Sequence, residues 1–220
     1  MTADKIKKAY HFLKDDMTSG YGNEPAWKVG EEREVDGQLV MCKWGYHAST
    51  SFYDALKYAP GSMACIVELS GEIIKDTDKY VARKRKLVKV VNAEKALRYF
   101  ACDCAERALK KANVTDERSW NAIKVARLYN EGKATKKELK TARAAAGAAW
   151  EASIAAREAS VAAWAAWKAS GDAWDAWEAS GDAWDTWKAS GDAWAAWKAA
   201  RKTEIKWQKR RLNWYMNKEE

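Results

Sequence analysis

The chain has 220 residues, 48% of them hydrophobic and 32% charged, with a formal net charge of +8. That length holds one or two domains; no apolar run approaches the ~20 residues of a membrane span, and four cysteines in so long a chain exclude a disulfide-dense scaffold. The opening stretch MTADKIKKAYHFLKDDM mixes acids with lysines and has neither a continuous apolar core nor a small-residue cleavage site, so a cytoplasmic protein with no membrane partner is expected.

Composition breaks once along the chain. All three Phe, both His and both Pro precede residue 113, and twelve of the fourteen Trp follow it. The break predicts an α+β protein in two parts: a small mixed α/β domain over 1–112 and an all-α region over 113–220, either one long helix or a helical hairpin or bundle. The charge does not separate them, since 20 Lys/Arg face 16 Asp/Glu in the first part and 19 face 15 in the second.

From Ala26 to Val91 the pattern is one of short strands and turns. Asp36-Gly37 between apolar-alternating runs predicts a hairpin over 33–42. Phe52, Ala55, Leu56 and Ala59 recur at three- and four-residue steps, which predicts a short helix over 51–59 ended by Pro60. Met63–Leu69 is β-branched and apolar between Pro60-Gly61 and Ser70-Gly71, so it predicts a buried strand whose one charge is Glu68. A strand over 86–91 and a helix over 93–111 complete the domain.

Cys42 and Cys65 fall in apolar, strand-like segments, and Cys102 and Cys104 form a C-x-C. Without a second Cys/His pair at zinc-like spacing these are expected to be small buried hydrophobes, and no metal is expected. Beyond 113, Thr115-Asp116 opens a helix that Glu131-Gly132 closes. Thr135 and Glu138 then have the spacing of a capping box, in which each side chain accepts from the other's backbone N–H at the start of a further helix.

A ten-residue repeat runs from Val161 to Ala200: VAAWAAWKAS, GDAWDAWEAS, GDAWDTWKAS, GDAWAAWKAA. Its indoles, Trp164, Trp167, Trp174, Trp177, Trp184, Trp187, Trp194 and Trp197, alternate spacings of three and seven. Each repeat of a straight helix would therefore turn its Trp pair by about −80°. Either the helix supercoils against partners or it breaks at Gly171, Gly181 and Gly191. Both solutions require apolar cover, so self-assembly or docking on a protein partner is the expected role. Residues 151–200 hold eight acids against four bases, which opposes nucleic-acid binding by the repeat. Elsewhere two basic clusters, Arg83-Lys84-Arg85-Lys86 and Lys209-Arg210-Arg211, could contact nucleic acid.

There is no Gly-rich phosphate loop, nucleophile elbow, HExxH or kinase signature. The candidate reactive groups are His11, His47, Tyr58 and Glu68. Four motifs, Trp27-Lys28-Val29-Gly30-Glu31, Cys42-x-x-Gly45-Tyr46-His47-Ala48-Ser49, Asp54-Ala55-Leu56-x-Tyr58 and Val67-Glu68-x-x-Gly71, resemble a domain of unknown function common in tailed-phage and bacterial hypothetical proteins. The stretches Trp120-Asn-Ala-Ile-x-x-Ala126 and Asn130-x-Gly132-x-Ala134-Thr135-x-x-Glu138-Leu139, with the Ala-rich repeats, resemble the C-terminal regions that accompany it.

This resemblance implies a phage-type accessory protein, in the host cytosol if phage-encoded, with no cofactor and no established activity. A more distant similarity is to ADP-ribosyltransferases, in the order His11 on a first strand, a Tyr near a short helix, and Glu68 on a later strand. It implies, as the alternative, a nucleotide- or NAD-binding domain, either a transferase or a ligand-sequestering anti-defence protein. There His11 would hold the ribose, Tyr46 or Tyr58 would stack on nicotinamide, and Glu68 would stabilise an oxocarbenium-like transition state. His47, Ser49, Arg83 and Arg85 are the further ligand-binding residues expected under that reading.

Overall fold

Hydrogen bonding in the computed structural model, which describes residues 6–20, 23–152 and 194–218, follows the expected α+β division. The chain separates into two compact units, one ending at Ala93 and one running from Glu94 to Lys218. The sequence put the division at 112, yet the helix from Glu94 groups with the helices after it. The reason is electrostatic as well as apolar: Asp103 of that helix accepts hydrogen bonds from Arg127, Arg211 and Tyr215 of two later helices.

The first unit contains β1 (Lys7–Leu13), β2 (Glu32–Glu34), β3 (Tyr46–Ser49), α1 (Phe52–Leu56), β4 (Met63–Lys75) and β5 (Lys79–Asn92). All pairings are antiparallel, in the order β2-β5-β3-β1-β4, and β4 also pairs with β5. Strands β5, β3, β1 and β4 thus form a closed circuit. A register shift with its extra residue on β5 at Ile66/Val67, and one with its extra residue on β4 between Ser70 and Ile73, interrupt a pairing that otherwise runs along almost the whole of both strands, while β1 occupies the other side of β4.

Side chains of alternate residues fill the interior of this circuit: Ala9 and Leu13 from β1, Tyr46 and Ala48 from β3, Cys65, Val67 and Leu69 from β4, Leu87 from β5. Burying each of the larger aliphatic groups is worth about 1.5–3 kcal/mol. Helix α1 starts at Ser51, whose Oγ accepts from the Asp54 backbone N–H at 3.1 Å. Phe52 then packs on Tyr10 and Phe12 of β1, at ring separations of 4.5 and 6.2 Å.

Several local expectations are corrected. No hairpin forms over 33–42: Gly37 does turn, with φ of +82°, but β2 pairs with Lys84–Lys86 of β5, and beyond the turn there is only a bridge between Val40 and Trp44. Cys42 is accordingly exposed in a turn with φ of +63°, whereas Cys65, Cys102 and Cys104 are buried as expected. The strands are longer than their apolar runs, β4 continuing to Lys75 and β5 starting at Lys79, because cross-strand pairing extends past the residues that face the core.

The second unit consists of α2 (Glu94–Lys111), α3 (Glu117–Asn130), α4 (Lys136–Ala152) and α5, the helix Trp194–Lys218. The Asp116 carboxylate caps α3, accepting from the Arg118 N–H at 2.9 Å. The capping box of α4 forms as expected, with Thr135 N–H donating to Glu138 at 2.7 Å and Glu138 N–H to Thr135 Oγ1 at 3.2 Å. Among the described residues no helix is long and apolar enough to cross a membrane.

Of the repeat, Trp164, Trp167, Trp174, Trp177, Trp184 and Trp187, with Gly171, Gly181 and Gly191, lie outside the described residues. Trp194 and Trp197 lie in the N-terminal turns of α5.

A candidate ligand cavity in the first unit

Short β3 and the first half of β5 leave space between strand ends and the following turns, and a cavity of about 380 Å³ opens there. This is within the range of small-molecule sites. His11 reaches it from β1, Tyr46 to Ser49 from β3, Lys79 and Arg85 from β5, and Ala55 and Tyr58 from α1 and the turn after it. Ser19, Glu24 and the turn residues Cys42, Lys43 and Gly45 complete the lining.

Gly45 sits where only glycine fits. Its φ is +119°, and a Cβ there would come within 2.5 Å of Val81 and 2.9 Å of Leu39. The tight approach brings Tyr46 and His47 onto the sheet directly after the exposed turn.

Arg85 is the central charge. It is 4% exposed, donates to the His47 carbonyl at 3.0 Å, and lies over the rings of Trp27 and Tyr46 at 4.3 and 5.0 Å from their centroids. Its nearest carboxylate, Glu24, is 3.9 Å away and also accepts from Trp27 Nε1 at 3.2 Å. Burial pushes the guanidinium down to about 10, which leaves it charged at neutral pH. Cationic Lys43, Lys79 and Arg85 thus face one lining carboxylate, Glu24.

Both histidines are held neutral. Burial, then the nearby positive charge of Arg85, keeps His11 well below the usual imidazole range; burial also lowers His47, with Lys79 and Arg85 adding to it and a backbone hydrogen bond at Gly45 opposing it. His47 Nε2 accepts from the Cys42 backbone N–H at 2.8 Å, so the proton of the neutral ring is on Nδ1. His11 differs: its ring is partly exposed, but Nε2 is enclosed and has no hydrogen-bond partner. An enclosed polar atom without a partner is rare in a folded protein, and this one belongs to a residue of the cavity wall.

At the rim, Lys79 Nζ donates to Cys42 Sγ at 3.0 Å and to Tyr58 Oη at 3.2 Å, and the Cys42 contact raises its affinity for the proton. Tyr58 in turn donates to Asp78 at 3.4 Å, and Lys57 pairs with Asp78 at 2.7 Å.

The fold therefore brings together His11, Tyr46, His47, Ser49, Tyr58 and Arg85 from the expected set, and excludes Glu68 and Arg83. Glu68 stands on the opposite face of β4 from Val67 and Leu69, in register with Lys8 and Lys86. Arg83 donates to the carbonyls of Val35 and Gly37 and pairs with Glu72 at 2.6 Å.

The first basic cluster is likewise divided rather than exposed as a unit, since Lys84 pairs with Glu34 at 3.3 Å and Arg85 is buried. Sequence reasoning missed Glu24, Lys43 and Lys79. Lys43 lies inside the Cys42-x-x-Gly45 motif, but Lys79 reaches the site through its pairing with Ser49, which no local pattern announces.

Residues 7–99 match the family described as a domain of unknown function (DUF7666), a span that covers every strand of the first unit and reaches into α2. No curated protein and no solved structure matches the chain.

Proposed function

We propose that the first unit binds a small anionic ligand with an aromatic ring, nucleotides and NAD being the fitting class, and holds it without transforming it. The carrying observation is Arg85, a buried guanidinium in a cavity wall with one carbonyl partner and a carboxylate no nearer than 3.9 Å. A phosphate would supply the close, charge-assisted partner that Glu24 does not. Tyr46 and Tyr58 place aromatic rings in the same wall.

Within this proposal the similarity to ADP-ribosyltransferases is kept for binding alone. His11, Tyr46 and Tyr58 line the cavity, but the carboxylate needed beside an oxocarbenium-like transition state, Glu68, is on the other face of β4. A ligand-sequestering accessory protein of phage type fits this arrangement better than a transferase.

The test is calorimetric titration of the whole chain with ATP, ADP-ribose, NAD and inorganic phosphate. Binding of at least one nucleotide, weakened by Lys79→Ala and Tyr58→Ala, is expected. Absence of heat with all four probes would refute the binding, and label transfer from NAD that Glu68→Gln abolishes would refute the non-catalytic role.

A further inference from the structure

Along α5 the residues Lys202, Lys206, Arg210, Trp214 and Lys218 follow one another at four-residue steps, and all five are exposed. A second series, Glu204, Gln208, Leu212 and Met216, has the same step and is buried. The two series are two residues out of phase, about 200° around the helix axis. The exposed series therefore stays on the back of the buried one along the whole segment, forming one continuous outward ridge.

Among the described residues the charges on the ridge are uncompensated. From Thr203 to Lys218 the only carboxylate is Glu204, which is buried and already pairs with Arg107 at 2.8 Å and Lys111 at 2.5 Å. Lys202, Lys206 and Arg210 have no ion-pair partner among the described residues. One turn further on, Trp214 is 43% exposed, with Arg211 and Lys218 over its ring at 4.5 and 3.9 Å.

We infer that this ridge binds single-stranded nucleic acid without sequence preference. Three cations one turn apart, at about 6 Å intervals, follow a phosphate backbone. The indole in line with them offers a stacking platform for a base, with the Lys218 ammonium moving to a phosphate. Paired bases in a duplex cannot use that platform. A lipid surface is a poorer match, because Trp214 is the one large apolar side chain on the ridge and an interfacial helix buries a whole apolar face. The inference is independent of the cavity, which lies in the other unit.

The test is fluorescence anisotropy of the full chain with a labelled oligothymidylate of about twenty nucleotides, the matching duplex, and phosphatidylserine vesicles by sedimentation. Four phosphate contacts give a log–log salt slope of about −2.8 on the single strand. The variant Lys202→Ala/Lys206→Ala/Arg210→Ala, whose positions are exposed and whose fold is checked by circular dichroism, is expected to lose at least tenfold in affinity and to shrink the slope by about 2.

Trp214→Ala is expected to lose about fivefold or more on the single strand with the slope unchanged. Lys84→Ala/Lys86→Ala, in the first unit, is expected to bind as the parent does. Unchanged affinity in the triple variant, equal affinity for the duplex, or binding confined to the vesicles would each overturn the inference.

Discussion

Arg85 donates a 3.0 Å hydrogen bond to the carbonyl of His47, so the buried cation of β5 is tied to the backbone of the strand that forms the cavity wall. Charge and shape are separable at this position. Arg85→Leu removes a desolvated ion, and such replacements by apolar groups are often near neutral for stability. It also leaves the His47 carbonyl without this donor, a cost of about 1–3 kcal/mol. A net change within about 2 kcal/mol in urea unfolding, with nucleotide binding reduced by more than tenfold in calorimetry, is the expected outcome. Arg85→Lys keeps the charge but loses the planar contact with Trp27 and Tyr46, so intermediate affinity is expected.

Acid should weaken the first unit. His11 and His47 both have lowered proton affinity in the fold, while in the unfolded chain they titrate near 6.5. Between the two values the unfolded chain binds more protons, so this contribution is whole above about pH 6.5 and is lost as pH falls toward the folded values, at up to ~1.4 kcal/mol per pH unit for each ring. Urea unfolding at a series of pH values from 7.5 downward checks it, and His11→Gln should show the shallower decline.

Gly45→Ala tests the turn that delivers Tyr46 and His47. The new methyl group would stand 2.5 Å from Val81 in a backbone conformation with φ of +119°. Backbone strain of ~1–2 kcal/mol and overpacking of ~1–3 kcal/mol together predict a loss of roughly 2–5 kcal/mol, seen as a large fall in melting temperature.

Asp103→Ala addresses the second unit. The carboxylate accepts from Arg127 at 2.7 Å, from Tyr215 at 2.8 Å and from Arg211, so α2, α3 and α5 share one acceptor. Both arginines are partly exposed and can recover water, which holds the expected loss to about 2–3 kcal/mol. Hydrogen exchange should show the amides of α5 losing protection before those of α3, because Arg127 keeps a second partner in Glu106 at 2.8 Å.

What the sequence revealed was what is decided locally. Asp116, Thr135 and Glu138 placed the starts of α3 and α4 because a cap is satisfied within one turn of chain. The β-branched run from Met63 placed β4. Periodicity alone did not reveal β1, since Ala9, Phe12 and Leu13 do not alternate simply and His11 shares the inner face. The predicted hairpin failed because Asp36-Gly37 specifies a turn but not the partner, and the partner of β2 lies on the distant β5.

At the cavity, residue chemistry and resemblance together brought forward six residues that do converge, and misplaced Glu68. Glu68 alternates regularly with the buried Cys65, Val67 and Leu69, but a run that is apolar at almost every position does not announce which of its two faces is the inner one.

The closed circuit of strands restricts how copies of this chain can associate. A sheet recruits a second chain through unsatisfied backbone along an open margin, and among the described residues the outermost strand is β2, three residues long and composed of Glu32, Arg33 and Glu34. So short and charged a margin is a poor template for strand addition. Strand addition at β2 is therefore disfavoured, and the strength of a contact between copies is expected not to respond to changes in that strand.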